Sequence, residues 1–185
     1  MEVVNPDDIR EYPDVMPSEG IPAKFEDLLA QHGGIIRKVA FAYARNESDR
    51  RDLMQDILLQ LWKAYPRYSP ERPFSTWMYR IALNVSISFL RKNTRAWRDT
   101  VQFDESEHDL GTHEHSSTPE MEERMSMLRD VITKCPPLDR ALLLLYLDDR
   151  SYREMAAVLG LTETNIATKL NRLKERLRQK LTRNH

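Results

Sequence analysis

Residues Ser151–Leu177 read SYREMAAVLGLTETNIATKLNRLKERL, and they carry the strongest fold signal in the chain. Ser151 followed by Glu154 has the spacing of a capping box, in which each side chain satisfies the other residue's backbone N–H. Gly160 can take the left-handed conformation that stops a helix. Thr162 is placed to cap the next helix, for which Ile166, Leu170, Leu173, Leu177 and Leu181 form a buried seam. Two short helices joined by a tight Gly-containing turn are the helix-turn-helix signature. Ala156 and Ala157 are expected to let the helices cross closely, with Leu161 and Ile166 filling the angle. The alternative is a short coiled coil with a solvated basic face, but the heptad lasts barely two repeats.

With Ile166 and Leu170 facing inward, Glu163, Thr164, Asn165, Thr168, Lys169 and Arg172 face outward. The start of the second helix of such a motif enters the major groove. Asn can read adenine there, and Arg or Lys can read guanine. Lys174, Arg176, Arg178, Lys180 and Arg183 suit phosphate contacts, which supply affinity rather than sequence choice. Upstream, Met121, Met125, Leu128, Val131, Ile132 and Cys135 form a helical stripe that Pro136-Pro137 ends. The following LDRALLLLYLDD is apolar on most sides and is expected to be a buried helix. Residues 121–185 thus form a four-helix helix-turn-helix domain.

Toward the N-terminus, residues 99–120 are acidic, lack Lys and Arg, and read as a flexible linker. His108, His113 and His115 lie in it and read as solvated rather than metal-binding. Residues 23–98 have a different helical pattern. Phe25, Leu28, Leu29, Ile35, Ile36, Val39 and Tyr43 mark one face, with Gly33-Gly34 as a weak point. In ESDRRDLMQDILLQLWKAY, Leu53, Ile57, Leu61 and Trp62 form a stripe with Met54, Leu58 and Tyr65 beside it, and Ser48 is placed as N-cap. Asp49, Asp52 and Asp56, with Gln55, recur at helical spacing. That face is either solvated or a dock for a basic helix.

The segment PRYSPERP has three Pro in eight residues and must be a loop. The helix FSTWMYRIALNVSISFLRK follows, with Ser75 or Thr76 as its cap and Trp77, Met78, Ile81, Ala82, Val85 and Phe89 as its apolar face. Tyr65, Tyr68, Phe74, Trp77 and Tyr79 alternate with Arg67, Arg72 and Arg80. Aromatic faces stack on unpaired bases while cations track the backbone. Trp77 is also spaced to face the core. Arg80, Asn84 and Ser88, with Arg91 close by, share a polar face that is either solvated surface or part of a single-strand site.

Composition bounds the rest. The chain has 185 residues, 41% hydrophobic and 31% charged, with a net charge of −1. Five Gly and ten Pro, the latter outside the periodic segments, favour helices joined by loops. The fold class is all-α, two small domains joined by the linker. Residues 1–22 hold four Pro and a surplus of acids, and read as a disordered arm without the apolar core of a signal peptide. No apolar run reaches the length of a membrane span. The single Cys135 allows no internal disulfide and reads as a buried structural thiol. The cytoplasm is the default location. No catalytic constellation, metal-ligand run or cofactor loop is present, so no enzymatic activity, metal or cofactor is expected.

The ordered set DLMQDILLQLW, FSTWMYRIALN with LRK, the acidic linker, and SYREMAAVLGLTETNIATKLNRLKERL resembles the bacterial sigma factors of RNA polymerase. It is closest to the short two-domain, extracytoplasmic-function group of the sigma-70 family. The resemblance covers roughly Phe25 to Leu181. It implies that residues 49–62 dock on the clamp helices of core RNA polymerase, with Asp52, Leu53, Gln55 and Asp56 matching that motif. It implies that the loop Tyr68–Pro73 and the helix carrying Ser75, Thr76, Trp77, Arg80, Asn84, Ser88 and Arg91 open the minus-ten element. Tyr68 and Asn84 match positions that hold a flipped base. The second domain would contact the polymerase flap and read the minus-thirty-five element of promoter DNA, with Thr168, Lys169 and Arg172 at matching positions. The linker would thread into the polymerase channels. The family's members often have an anti-sigma partner. Leu83 and Ser88 stand where a basic residue and an Asp are common, and Asn165 and Ala167 depart from the usual start of the recognition helix. No further domain is expected after His185. A stand-alone dimeric helix-turn-helix regulator is the alternative, but it leaves the aromatic loop without a task.

Overall fold

The computed structural model describes residues 23–99 and 131–183, with side chains within 24–92 and 131–179. The chain divides into two compact units, Met1–Glu122 and Glu123–His185. All regular structure among the described residues is helical. The expected arm 1–22, the linker 99–120 with its three His, and the helix expected from Met121 to Leu128 lie outside the described residues, except that the last helix before the linker runs to Asp99.

In the first unit, α1 (Ala23–His32), α2 (Gly34–Tyr43) and α3 (Glu47–Ala64) are joined by short turns, and a loop over 65–73 leads to α4 (Phe74–Asp99). The break expected at Gly33-Gly34 occurs at Gly33, which keeps right-handed geometry. A Cβ there would lie 2.9 Å from the Leu29 carbonyl oxygen, so the α1–α2 joint closes only on a glycine. The core combines Val39 and Tyr43 of α2, Leu53, Ile57 and Leu61 of α3, and Met78, Tyr79, Ala82 and Leu83 of α4. Each large apolar side chain so buried is worth about 1.5–3 kcal/mol.

Several local readings are corrected. The N-cap of α3 is Asn46, not Ser48. Its Oδ1 accepts the Asp49 N–H at 2.7 Å. Starting there makes Glu47 the first helical residue, and the Arg50 guanidinium three residues on pairs with it at 2.6 Å and lies over the Phe41 ring. Helix α4 begins directly after Pro73, whose carbonyl accepts the N–H groups of Thr76 and Trp77. Ser75 and Thr76 therefore lie buried within the first turn and not at the N-cap position. The buried face of α4 is rotated from the expected one. Phe74, Met78, Tyr79, Ala82, Leu83 and Ser86 are inside, while Trp77, Ile81, Val85 and Phe89 are half-buried. Helix α4 also continues past Lys92, where the sequence has neither Gly nor Pro to stop it.

In the second unit, residues 131–133 are helical and precede α5 (Pro137–Leu147), α6 (Tyr152–Leu159) and α7 (Glu163–Arg183). Pro137 does not merely end the preceding helix. It is the first residue of α5, where its missing N–H costs nothing. Arg140 is buried and donates to the carbonyls of Thr133 and Cys135, tying α5 to the preceding turn. Cys135 is half-buried rather than fully buried, and its thiol donates to the Val131 carbonyl at 3.2 Å. Helix α5 buries Ala141, Leu142, Leu143 and Leu145 but leaves Tyr146 and Leu147 in solvent, so it is not apolar-buried all round.

Candidate nucleic-acid interface

The turn between α6 and α7 forms as the sequence dictates. Ser151 Oγ accepts the Glu154 N–H, and the Glu154 carboxylate accepts both the N–H and the hydroxyl of Ser151. The Ser151 hydroxyl and then its backbone N–H hold the Glu154 carboxyl below its ordinary value. Burial opposes them and Arg150 assists. Arg150 bridges Asp148 at 3.2 Å and Glu154 at 3.3 Å, linking the end of α5 to the start of α6. Gly160 is left-handed, with φ 66° and ψ 32°. Thr162 Oγ1 accepts the Asn165 N–H and caps α7. Met155 and Val158 of α6 pack inward with Ile166, Leu170 and Leu173 of α7. Ala157 is exposed and Ala156 half-buried, so the crossing uses Met155 and Val158 rather than the two alanines.

That seam fixes what α7 presents. Glu163, Thr164, Thr168 and Arg172 are exposed, and Asn165 and Lys169 are half-exposed. Thr168 spends its hydroxyl on the Thr164 carbonyl at 3.0 Å. Lys169 and Arg172 line a shallow groove with Asp139, Glu175 and Arg176. Lys174 does not share this face. It lies about 160° around the helix from Arg172, at 3.6 residues per turn. Its Nζ sits 3.9 Å from the centre of the Tyr146 ring, a cation–π contact. The positive stripe is thus shorter than its sequence suggests, because a helix spreads a run of cations around its circumference.

The first unit holds an aromatic cluster. Tyr68 stands in the loop after the 3-10 turn Tyr65–Arg67 and donates its hydroxyl to the Arg72 carbonyl at 2.9 Å. Its ring lies 6.1 Å from Tyr65, 5.3 Å from Phe74 and 5.1 Å from Trp77. Phe25 of α1 packs on Tyr65 at 4.5 Å, and His32 lies 5.7 Å from Phe74. The sequence reading missed α1 here, since 40 or more residues separate Phe25 and His32 from their partners. Tyr68 and Trp77 are half-buried, and each keeps some surface. Tyr79 is fully buried and cannot stack on a base. Arg80, Asn84 and Ser88 are half-exposed and Arg91 exposed on consecutive turns of α4. Ser75 and Thr76 are too buried to belong to that surface.

On α3, Asp52, Gln55 and Asp56 are exposed and Asp49 is half-exposed. Leu53 is fully buried, so it supports this face from below rather than forming part of it. Burial first, then repulsion from Asp52, push the Asp49 carboxyl above its ordinary value, and Arg45 opposes them. Leu58 and Leu59 are 38% and 40% exposed, which corrects the inward placement of Leu58. Leu58 borders a groove with Met54, Leu29 and Ile36. No helix of the described residues is long and apolar enough to cross a membrane.

The two units correspond to two matched families. The family described as Sigma-70 region 2 matches residues 28–98, and Sigma-70, region 4 matches residues 125–177. The RNA polymerase sigma factor CnrH of Cupriavidus metallidurans is 27% identical, over 94% of this chain and 95% of its own. The ECF RNA polymerase sigma factor RpoE of Cereibacter sphaeroides is 28% identical, over 73% of this chain and 74% of its own. The fold is similar to that of the sigma factor RpoE from Bartonella quintana, solved with the anti-sigma factor NepR. The TM-score is 0.70 at 20% identity, over 87% of this chain and 98% of that one. Sigma factors bind core RNA polymerase and promoter DNA and support promoter-specific initiation of transcription, and this chain belongs to the extracytoplasmic-function group of the sigma-70 family.

Proposed function

We propose that the chain divides promoter recognition between its units. The exposed α3 face of Asp49, Asp52, Gln55 and Asp56, with Leu59 alongside, docks on the clamp helices of core RNA polymerase. The half-exposed aromatics Tyr68 and Trp77, with Arg80, Asn84, Ser88 and Arg91, receive bases of the opened minus-ten element in the cytoplasm. Asn165, Thr168, Lys169 and Arg172 of α7 face the minus-thirty-five element, and the second unit touches the polymerase flap. The acidic linker occupies polymerase channels built for RNA. An anti-sigma partner that covers the α3 face would keep the chain off polymerase.

The observation that carries this reading is the state of α3. Two carboxylates and two leucines stand in water on one helix, and Asp49 is held in a setting that favours its neutral form. A basic, partly apolar partner would relieve both conditions. Run-off transcription tests it. Core polymerase with this chain initiates at a discrete promoter, and Asp52→Arg or Asp56→Arg abolishes the transcript. These exposed positions should change folding stability by less than about 0.5 kcal/mol. Full activity of both variants would remove the docking surface.

A further inference from the structure

The cations of α7 are not equivalent. Lys169 and Arg172 form no ion pair among the described residues. Arg176, one turn further on the same side, is engaged. Its Nη2 lies 2.6 Å from Oδ2 of Asp139, a residue 37 positions earlier in the first turn of α5. The Asp139 side chain is only 16% exposed, whereas that of Arg176 is 52% exposed. The acid is therefore fixed by the fold, and the arginine comes to it.

We propose that Asp139 is a built-in counter-charge, which occupies Arg176 and so keeps the sequence-independent grip of α7 on duplex DNA weak. This rests on the reading of α7 as the duplex-facing helix. A cation with no partner gains a phosphate and releases a counterion from the DNA. Arg176 would instead trade one anion for another, with no net attraction gained. Sequence-independent affinity is a sum over such cations, whereas base readout falls to residues near the start of α7. Neutralising a cation far from that start lowers binding to all sequences while leaving discrimination intact. The chain then depends on a second, polymerase-borne contact to hold DNA.

The test uses the full-length chain and a labelled duplex of random sequence, with affinity measured across a salt series. Asp139→Asn frees Arg176 and should add about one phosphate to the ion release, a slope steeper by ~0.9. Between about 50 and 200 mM salt, the variant should then lose roughly 3.5-fold more affinity than the parent. Arg176→Ala alone should leave the slope unchanged. Asp139→Asn combined with Arg176→Ala should match Arg176→Ala. Asp139→Ser, which lacks the amide, should repeat the gain. An unchanged slope in both Asp139 variants would overturn the proposal alone. So would a gain that persists without Arg176, since that is only the removal of a negative charge. Absence of duplex binding by every variant, at low salt, would overturn the reading of α7 and the proposal with it.

Discussion

Gly160 and Gly33 are both required, for opposite reasons, and the difference can be measured. Gly160 has φ 66°, yet a Cβ added there meets nothing within 4 Å. The cost of Gly160→Ala is thus conformational only. An L-residue in the left-handed region costs about 1–2 kcal/mol. The loss of unfolded-state freedom returns roughly 0.4–1 kcal/mol. The net loss is about 1 kcal/mol, which for a unit this small lowers Tm by roughly 4–8 °C. Asn tolerates the left-handed region better, so Gly160→Asn should lose clearly less. Gly33 is right-handed, so Ala would be favoured there by up to about 1 kcal/mol if space allowed. Space does not allow it, because the obstacle at 2.9 Å is a backbone carbonyl that cannot rotate away. Gly33→Ala should therefore destabilise the first unit, and Gly33→Asn should be no better. Thermal melts of the four full-length variants by calorimetry, with the transition of each unit followed separately, provide the measurement. Equal losses for Ala and Asn at position 160, or a gain for Gly33→Ala, would refute this account of the two turns.

Other outcomes follow from the same geometry. Glu154 has a depressed pKa, so its contribution to stability is present above its ordinary value of 4.5 and is lost as pH falls through its lower folded value. Ser151→Ala removes the largest cause. Glu154 should then titrate closer to 4.5 by carboxyl NMR, and the second unit should lose about 1 kcal/mol at neutral pH. An unshifted titration would reject the capping assignment. Arg172→Ala should reduce the preference for a promoter over random duplex. A uniform loss on all sequences would make Arg172 a phosphate contact instead. Leu59→Ser should weaken association with core polymerase in a pull-down without lowering Tm, and unchanged capture would free Leu59 of that role.

What could be read from the sequence was local. The Ser151–Glu154 box, Gly160 and the Thr162 cap each depend on residues three or four apart, and each formed as written. At the start of α3 the local pattern points to Ser48, and the structure uses Asn46. Asn46 displaced Ser48 because the earlier start adds a hydrogen bond from Arg50 N–H to the Asn46 carbonyl. The phase of α4 was off by a fraction of a turn because its sequence is apolar on more than one side, and only α2 and α3 select which side is covered. The same blindness affected the site. Nothing local marks Asp139 as the partner of Arg176, Tyr146 as the seat of Lys174, or Phe25 as a wall beside Tyr65. Those pairs exist only once the helices cross.

The leucines left in water on α3 have a consequence for the order in which the chain lets go. Contacts made through hydrocarbon are indifferent to screening ions, whereas a grip assembled from phosphates weakens steeply as electrolyte rises. With Leu59 exposed among the carboxylates and Leu58 exposed on an adjoining side of the helix, raising ionic strength should strip the promoter away first and leave protein bound to protein. Dissociation would thus proceed from the genome toward the enzyme.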